Sequence, residues 1–219
     1  AVKSFDQAIA LKRRHEGLLT AQQVPLIEKY IDSLTELGRY PEALKAQKYL
    51  LRIATRQHGA DSPQLAPTLE EIGRWYASIG AYDQSRRTLR QALEIVEAAE
   101  GPDSPLLVGP LLAIAACNRR QLLDPAAQSL ASPDEQREAL FHDPGAMLVP
   151  AQMSATALAA EGERSLLRAA QIVDPAAEPS PVAVLNVRTQ VGDWYQVRNQ
   201  PDRARSHYQQ AWQAAARVT

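Results

Sequence analysis

The sequence predicts an all-α fold in which pairs of antiparallel helices repeat along the chain. Two short sequences recur with a step of 42 residues: Gly38–Tyr40 is matched by Gly80–Tyr82, and Gly59–Pro63 is matched by Gly101–Pro105. Between these breaks, apolar residues recur about every 3.6 positions, which is the period of an amphipathic helix. Self-similarity at a fixed period of this length is typical of a solenoid, in which each unit buries its apolar face against its neighbours.

Composition and charge exclude several classes of protein. Hydrophobic residues make up 45% of the 219-residue chain and charged residues 22%, which is typical of a folded chain rather than a disordered one. The formal net charge of −1 gives no overall field that would attract nucleic acid. No apolar run approaches the roughly 20 residues that a transmembrane helix needs. The abundance of Ala and Arg favours a bacterial source, and the compartment stays open, with the periplasm slightly favoured over the cytoplasm.

The first half of the chain divides into one partial and two complete units. Residues 1–20 have the pattern of the second helix of a unit whose first helix is missing. The first complete unit covers residues 22–58 and the second covers residues 63–100. In each of them a glycine, Gly38 or Gly80, is predicted to end the first helix in the left-handed conformation.

Helix starts are marked by residues that can cap them. Ser62 and Ser104, each followed by proline, are predicted N-caps of first helices. Asp83 and Asp202 are predicted to cap the second helices of their units. The breaks and the caps together predict alternating helices joined by short connections.

The second half of the chain follows the pattern less closely. Residues 105–130 form a degenerate unit, in which a leucine stands where the turn glycine is expected. Residues 131–177 are irregular, although an uninterrupted stretch over residues 151–173 predicts one long helix. The last unit covers residues 181–219 and turns at Asn199, a residue type that tolerates the left-handed conformation.

Small and large residues alternate in a specific order in two of the units. The second unit contains Ile72-Gly73-x-x-Tyr76 followed by Ser85, Leu89 and Ala92, and the last unit contains Val191-Gly192-x-x-Tyr195 followed by Ala204, Tyr208 and Ala211. This order resembles the tetratricopeptide repeat. The 42-residue step and the Gly-x-Asp-Ser-Pro link are similar to the longer repeats of kinesin light chain. The resemblance implies one tetratricopeptide array over residues 1–219, wound into a right-handed superhelix of antiparallel helix pairs.

Residues that could support catalysis or hold a metal are scattered rather than clustered. Four histidines have no partner at the spacing of metal ligands, and each is expected at the surface: His15, His58, His142 and His207. The single cysteine, Cys117, occupies the same repeat position as Trp75 and Trp194, so we expect it to fill a packing slot rather than act as a nucleophile. The sequence therefore predicts no catalytic residue, no cofactor and no metal site, and a protein that is not an enzyme.

The resemblance also implies where a partner binds, because tetratricopeptide arrays usually use the concave face lined by their first helices. By repeat position, the predicted partner-binding groove contains Asp32, Glu36, Glu70, Arg74, Ser78, Leu112, Ala116, Arg119, Arg120, Asp193 and Gln196. The Lys and Asn positions with which chaperone-binding members grip a carboxylate are held by Glu28 and Asp32, or by Glu70 and Arg74. A carboxylate clamp is therefore not expected. We expect a ligand of mixed charge that faces acidic residues at one side of the groove and arginines at the other.

Two functions are open at this point. The first is a non-catalytic interaction module that binds a peptide or protein segment in the concave groove. The second is a structural, self-associating segment of a larger bacterial envelope protein, with a homo-oligomer contact through exposed terminal helices. For that contact, Trp212 with Ala215 and part of Tyr208 is predicted to form an exposed apolar strip on the last helix. The mass of the protein in solution distinguishes the two.

Overall fold

The computed structural model describes residues 2–124, 153–174 and 180–217, and every regular element within these ranges is helical. The described α-helices are α1 (Val2–Glu16), α2 (Val24–Glu36), α3 (Tyr40–His58), α4 (Ala66–Ser78), α5 (Tyr82–Glu100), α6 (Val108–Leu123), α7 (Ala155–Val173), α8 (Pro181–Val197) and α9 (Pro201–Ala215). None of these helices combines the length and the apolar character needed to cross a membrane. The predicted all-α class is confirmed.

The tight turns between paired helices lie where the sequence predicts them. Gly38 and Gly80 have φ angles of 69° and 81°, and Asn199 has a φ of 56°. Glycine has no Cβ and asparagine has a short polar side chain, so both residue types reach this left-handed region at little steric cost. The amide that follows then donates back into the finished helix, as Ala81 N does to Tyr76 O at 2.9 Å.

Three of the first helices begin with a short 3-10 turn. These turns are Ala21–Gln23, Pro63–Leu65 and Pro105–Leu107, and the α-helices after them begin at residues 24, 66 and 108, which are 42 residues apart. Ser104 caps the third turn, because its Oγ accepts a hydrogen bond from Leu106 N at 3.3 Å. The regular spacing of these starts sets the register of the array.

Three of the predicted caps differ from the structure. Ser62 occupies the N-cap position but its side chain accepts no capping hydrogen bond. Asp83 and Asp202 lie inside the first turns of α5 and α9, because each of these helices begins two residues earlier than the prediction requires. A carboxylate in the first turn still interacts favourably with the positive end of the helix dipole.

The helices pack as antiparallel pairs. Pairs α2–α3, α4–α5 and α8–α9 are joined by the tight turns, whereas α6 packs on α7 although residues 125–152 separate them in sequence. Near the end of α6, Asn118 Nδ2 donates to Leu158 O near the start of α7 at 3.2 Å. Near the end of α7, Arg168 Nη2 donates to Pro102 O before α6 at 2.9 Å. These two contacts show that α6 and α7 run antiparallel.

The unit boundaries predicted for the middle of the chain stay predictions. The ranges 105–130 and 131–177 fall partly on residues 125–152 and 175–179, which lie outside the described residues. The long helix predicted over residues 151–173 corresponds to α7, which begins later than predicted, at Ala155 after the N-cap Ser154, and continues without a break to Val173.

The core is a layer of apolar side chains between successive helix pairs. Leu69, Leu166 and Val187 are almost fully buried in its largest cluster, which draws on helices from α3 to α9. Such burial stabilises the fold by about 25 cal/mol per Å² of apolar surface. Small residues allow the close approach: a Cβ placed on Gly73 would lie only 2.6 Å from Leu89 Cγ. The glycine positions of the repeat therefore have a packing reason.

Candidate functional site

An open groove of about 940 Å³ lies on the face formed by the first helices α4 and α6. Five of the predicted partner-binding residues line this groove: Arg74, Ser78, Ala116, Arg119 and Arg120. Its lining is completed by eight further residues: Ala77, Ile79, Gly80, Tyr82, Ala113, Cys117, Leu123 and Asp124. The groove therefore combines guanidinium groups with a floor of small apolar side chains.

Helical spacing explains why the α6 side chains meet in the groove. One face of α6 carries Ala113, Ala116, Cys117 and Arg120, because helix residues three or four positions apart lie on the same side. Ala113 and Cys117 are buried and form the floor, whereas Ala116 and Arg120 are exposed. A short side chain at the exposed position 116 leaves room for a ligand above the floor.

The α4 side of the groove carries an arginine that is held by its own helix. Arg74 Nη2 lies 2.5 Å from Glu70 Oε1, one helical turn earlier, and the arginine side chain stays exposed. Across the groove, Arg120 Nη2 donates to the carbonyl oxygen of Ser78 at 3.3 Å. This contact ties the end of α6 to the end of α4.

A third arginine, Arg119 of α6, lies on the side of the groove that faces α8. Arg119 Nη1 lies 3.7 Å from Asp193 Oδ2, and Asp193 Oδ1 accepts a hydrogen bond from Tyr208 OH at 2.9 Å. A guanidinium carries five N–H donors in a planar fork, so the groove arginines can bind a further carboxylate in addition to these contacts. The arrangement is suited to an anionic group of a ligand.

A phenol and a carboxylate close one rim of the groove. Tyr82 OH donates to Asp124 Oδ2 at 2.7 Å. Burial, followed by the hydrogen bond and the negative charge of Asp124, raises the pKa of Tyr82 to about 12, and nearby Arg120 opposes this rise. The phenol therefore stays protonated near neutral pH and remains a donor to Asp124.

Cys117 has the packing role that the sequence predicts. Its side chain is buried against Ala77 and Tyr82, and its Sγ lies 3.7 Å from the carbonyl oxygen of Tyr82. Burial raises the pKa of the Cys117 thiol. Because the thiolate is the reactive form, a buried thiol that stays protonated is a poor nucleophile and serves here as part of the groove floor.

The prediction for Leu112 is wrong, because this side chain is buried in the core and lines no part of the groove. Helix α6 contacts α4, α5, α7 and α8, and all residues from Leu111 to Ala115 are buried. A helix that is surrounded by neighbours has no single apolar face. Repeat position alone could not separate a groove residue from a core residue there.

Five other predicted residues lie outside the groove lining, and one of them is Asp193, the ion-pair partner of Arg119. Glu70 stands at its margin as the ion-pair partner of Arg74. Asp32 and Glu36 are exposed on α2. Gln196 lines a separate concavity at the far end of the array. Contact of these residues with a ligand stays a prediction.

A buried polar cluster beside the groove joins α5 to α6 and was not predicted. Arg86 is only 2% exposed, pairs with Asp83, and donates to Asn118 Oδ1 at 3.3 Å and to Gln121 Oε1 at 2.5 Å. The sequence did contain a signal for this burial, since Arg86 lies four residues after the buried Tyr82 on the same stripe of α5. A buried arginine requires such partners, because an unpaired buried charge is strongly destabilising.

Glu161 extends this cluster to α7. It accepts a hydrogen bond from Asn118 Nδ2 at 2.9 Å and pairs with Arg90 of α5. Burial acts to raise the pKa of Glu161, but the hydrogen bonds and charge of Arg90 and the hydrogen bond of Asn118 outweigh it and hold the pKa below its ordinary value. The charged carboxylate therefore ties α7 to both α5 and α6.

His207 does not lie freely at the surface as predicted. Its ring is partly buried, stacks on Tyr195 with the centroids 5.5 Å apart, and places Nδ1 3.0 Å from Arg188 Nη1. Burial, and then the charge of Arg188, lowers the pKa of His207, while Asp174 opposes this shift. The neutral ring can accept a hydrogen bond from Arg188 at Nδ1.

The other histidines and the acidic residues form no metal site in the part of the chain that the structure describes. His15 and His58 are exposed, as predicted, and His142 lies outside the described residues.

The repeats are identified by comparison with a protein family. The family model of the tetratricopeptide repeat matches residues 26–98, which extend from the first turn of α2 to the last turn of α5. Residues 26–98 carry tetratricopeptide repeats. Repeats of this family mediate protein–protein interaction. No curated protein matches the sequence.

Two solved structures were aligned with the array, and the first of them has a similar fold. The nearly identical tetratricopeptide-like repeats of a protein named as a kinesin light chain, from Podosopora anserina, align with a TM-score of 0.60 at 13% identity, covering 100% of this chain and 87% of that one. BtubC (BKLC) from P. vanneervenii aligns with a TM-score of 0.44 at 14% identity, covering 99% of this chain and 90% of that one. The first similarity supports a tetratricopeptide solenoid as the fold.

Proposed function

We propose that the tetratricopeptide array is a non-catalytic interaction module that binds a peptide or protein segment in the groove between α4 and α6. The observation that carries this proposal is the convergence of Arg74, Arg119 and Arg120 around a floor of small apolar side chains. A ligand that presents a carboxylate to the arginines and a small apolar side chain to the floor matches both features.

The apolar floor is needed for affinity. Exposed ion pairs contribute only about 0–1 kcal/mol each, so three arginines alone give weak binding. Binding energy at interfaces comes mostly from a few well-packed, desolvated contacts. Ala113 and Cys117 are already buried at the floor, and exposed Ala116 and Leu123 beside them offer apolar surface to a ligand.

The charge on the neighbouring first helix favours a ligand of mixed charge. Asp32 and Glu36 are exposed on α2. Burial raises the pKa of Glu28, and the charges of Glu71 and Asp32 raise it further, which shows that carboxylates of α2 and α4 lie close to one another. A segment with a basic residue towards α2 and an acidic residue towards the three arginines complements both ends.

Selection from a random peptide display library tests the proposal. The bait is the wild-type chain, and the competitor is the variant Arg74→Glu, Arg119→Glu, Arg120→Glu. We expect selected peptides to be enriched in Asp and Glu, and to bind the variant at least tenfold more weakly. A matched control replaces three exposed arginines of the second helices by glutamate, which reverses their charge: Arg56, Arg87 and Arg164. This control should bind the selected peptides like wild type.

Two results contradict the proposal. One is that no peptide is enriched on the wild-type chain. The other is that selected peptides bind the groove variant and the control variant equally well, which places their site elsewhere on the array.

A further inference from the structure

A second concavity of about 560 Å³ lies at the outer side of the last helix pair. It is lined by Gln196, Pro201, Arg205, Tyr208, Gln209 and Trp212. Trp212 is 73% exposed and is the most exposed of the large hydrophobic side chains that the structure describes. None of these residues lines the groove between α4 and α6, so this is a separate surface. We call it the α9 surface.

The pair α8–α9 repeats the geometry of the pair α4–α5. A Cβ on Gly192 would lie 2.5 Å from Tyr208 Cε1, just as a Cβ on Gly73 would lie 2.6 Å from Leu89 Cγ. Both pairs also turn at a residue with positive φ, Gly80 in the one and Asn199 in the other. Aligning Gly192 with Gly73 in sequence also aligns the two turn residues and so assigns each residue of one pair a counterpart in the other. The α9 surface then corresponds to the surface formed by Ala77, Tyr82, Arg86, Leu89, Arg90 and Leu93.

In the pair α4–α5 this corresponding surface is covered by a helix. Leu89 and Leu93 pack against Ala113 and Ile114 of α6, and Tyr82 and Ala77 pack against the α6 thiol. The amides of α6 accept hydrogen bonds from the buried arginine of α5. The internal repeat therefore shows what kind of element fits the α9 surface, namely an amphipathic helix that docks as α6 does.

The charged residues of the two surfaces correspond as closely as the apolar ones. Asp202 and Arg205 align with Asp83 and Arg86, and each pair has the same i,i+3 spacing. The Arg86 side chain is 2% exposed beneath α6, whereas the Arg205 side chain is 72% exposed. Arg205 thus presents N–H donors at the position where Arg86 donates to the amide oxygens of Asn118 and Gln121 of α6. A docking helix is expected to supply an amide or carboxylate pair at that i,i+3 spacing.

We propose that the α9 surface binds an amphipathic helix of a partner protein, in the position that α6 takes on α4–α5. The helix presents small or branched apolar side chains to Trp212 and Tyr208. It presents two amide or carboxylate side chains, three residues apart, to Arg205. This interaction is separate from ligand binding in the groove between α4 and α6.

A second copy of the chain is a poorer occupant than a partner helix. The helix at the opposite end of the array, α1, has no amide pair at i,i+3 spacing in its sequence. Its charged side chains at Lys12 and Arg14 have the same sign as Arg205 and would repel it. The first helix α2 is covered by α1 and α3. Neither α1 nor α2 therefore offers the chemistry that the α9 surface requires.

A designed peptide tests this assignment. The peptide has the length of residues 107–123 and keeps four residues that face α4–α5: Ala113, Ile114, Asn118 and Gln121. Cys117 is replaced by Ala, and the remaining positions carry Glu, Lys and Gln so that the peptide is soluble. Binding is followed by anisotropy of a dye on the peptide. We expect saturable binding of one peptide per chain, because the corresponding surface on α4–α5 is already occupied.

The variants separate docking on α9 from non-specific association. Trp212→Glu and Arg205→Glu should each weaken binding at least tenfold, and neither should change the helical CD signal, because both side chains are exposed. Gln210→Glu, on the opposite side of α9, introduces the same charge and should bind like wild type. Absence of saturable binding, or equal affinity for all variants, overturns the proposal. A dimer in sedimentation that Trp212→Glu abolishes also overturns it, because a second copy would then be the occupant.

Discussion

Gly162 lies where α7 meets the indole ring of α8, and the substitution Gly162→Ala tests how closely these helices pack. A Cβ at position 162 would lie 2.6 Å from Trp194 Cζ2 and 2.8 Å from Cζ3, and nearer still to Cη2. Carbon atoms in contact are normally about 3.5–4.0 Å apart, so the ring must move by roughly 1 Å or more. Trp194 is almost fully buried and has little space for such a shift. Overpacking of a core costs about 1–3 kcal/mol.

The net effect of Gly162→Ala is smaller than the steric term alone. Alanine in a helix interior is more favourable than glycine by about 0.5–1 kcal/mol. We therefore expect a loss of roughly 1–2 kcal/mol in the free energy of unfolding, measured by urea melts, and a lower Tm by about 2–4 °C for each kcal/mol.

Gly109→Ala is the matched control. A Cβ at position 109 would also be too close to a side chain, but its neighbours are the carboxylate atoms of Glu70, with Cδ at 3.0 Å. The end of this side chain can turn away at little cost, so the helix preference of alanine should leave this variant as stable as wild type or more stable by up to about 1 kcal/mol. If Gly162→Ala is as stable as wild type, or if both variants lose the same stability, the packing argument is refuted.

Three further predictions concern buried polar groups. Arg86→Met should lower the free energy of unfolding by about 1–3 kcal/mol in urea melts, because it leaves buried amide oxygens of α6 without a donor, and an unchanged midpoint would contradict this. Tyr82 has a pKa of about 12 against an ordinary value of 10.0, so stability should fall as pH rises from 10 towards 12, and Tyr82→Phe should remove that part of the pH dependence. His207 has a pKa below its ordinary value of 6.5, so on acidification the unfolded chain takes up this proton at a higher pH than the folded chain does. Stability should therefore fall as pH drops below 6.5. An NMR titration of the ring checks the lowered pKa, and His207→Gln should flatten the acid limb.

The turns of the array were predictable because they depend on single residues. A left-handed residue is required where two helices meet in a tight turn, and few residue types adopt it, so Gly38, Gly80 and Asn199 were identified from the sequence. Part of the groove was predictable for the same reason. Once the turns fix the helix register, Arg74 and Arg120 fall on one face by repeat position.

The remainder depends on which helices surround a given position. Leu112 was assigned to the groove because its repeat position faces a ligand in an ordinary first helix, but α6 has neighbours on several sides. Arg86 was passed over because charged residues are rarely buried without partners, and its partners on α6 are distant in sequence. The packing of α6 on α7 across residues 125–152 is likewise a tertiary contact that no local pattern contains.

The most direct test of the interaction function is site-specific crosslinking from the groove. A photoreactive amino acid is placed at Ala116, which is exposed in the groove, or at Arg87, which is exposed on α5 away from it. Each chain is irradiated with a selected acidic peptide, and adducts are identified by mass spectrometry. We predict adducts from position 116 and none from position 87. Adducts from position 87 with none from position 116 would contradict binding between α4 and α6.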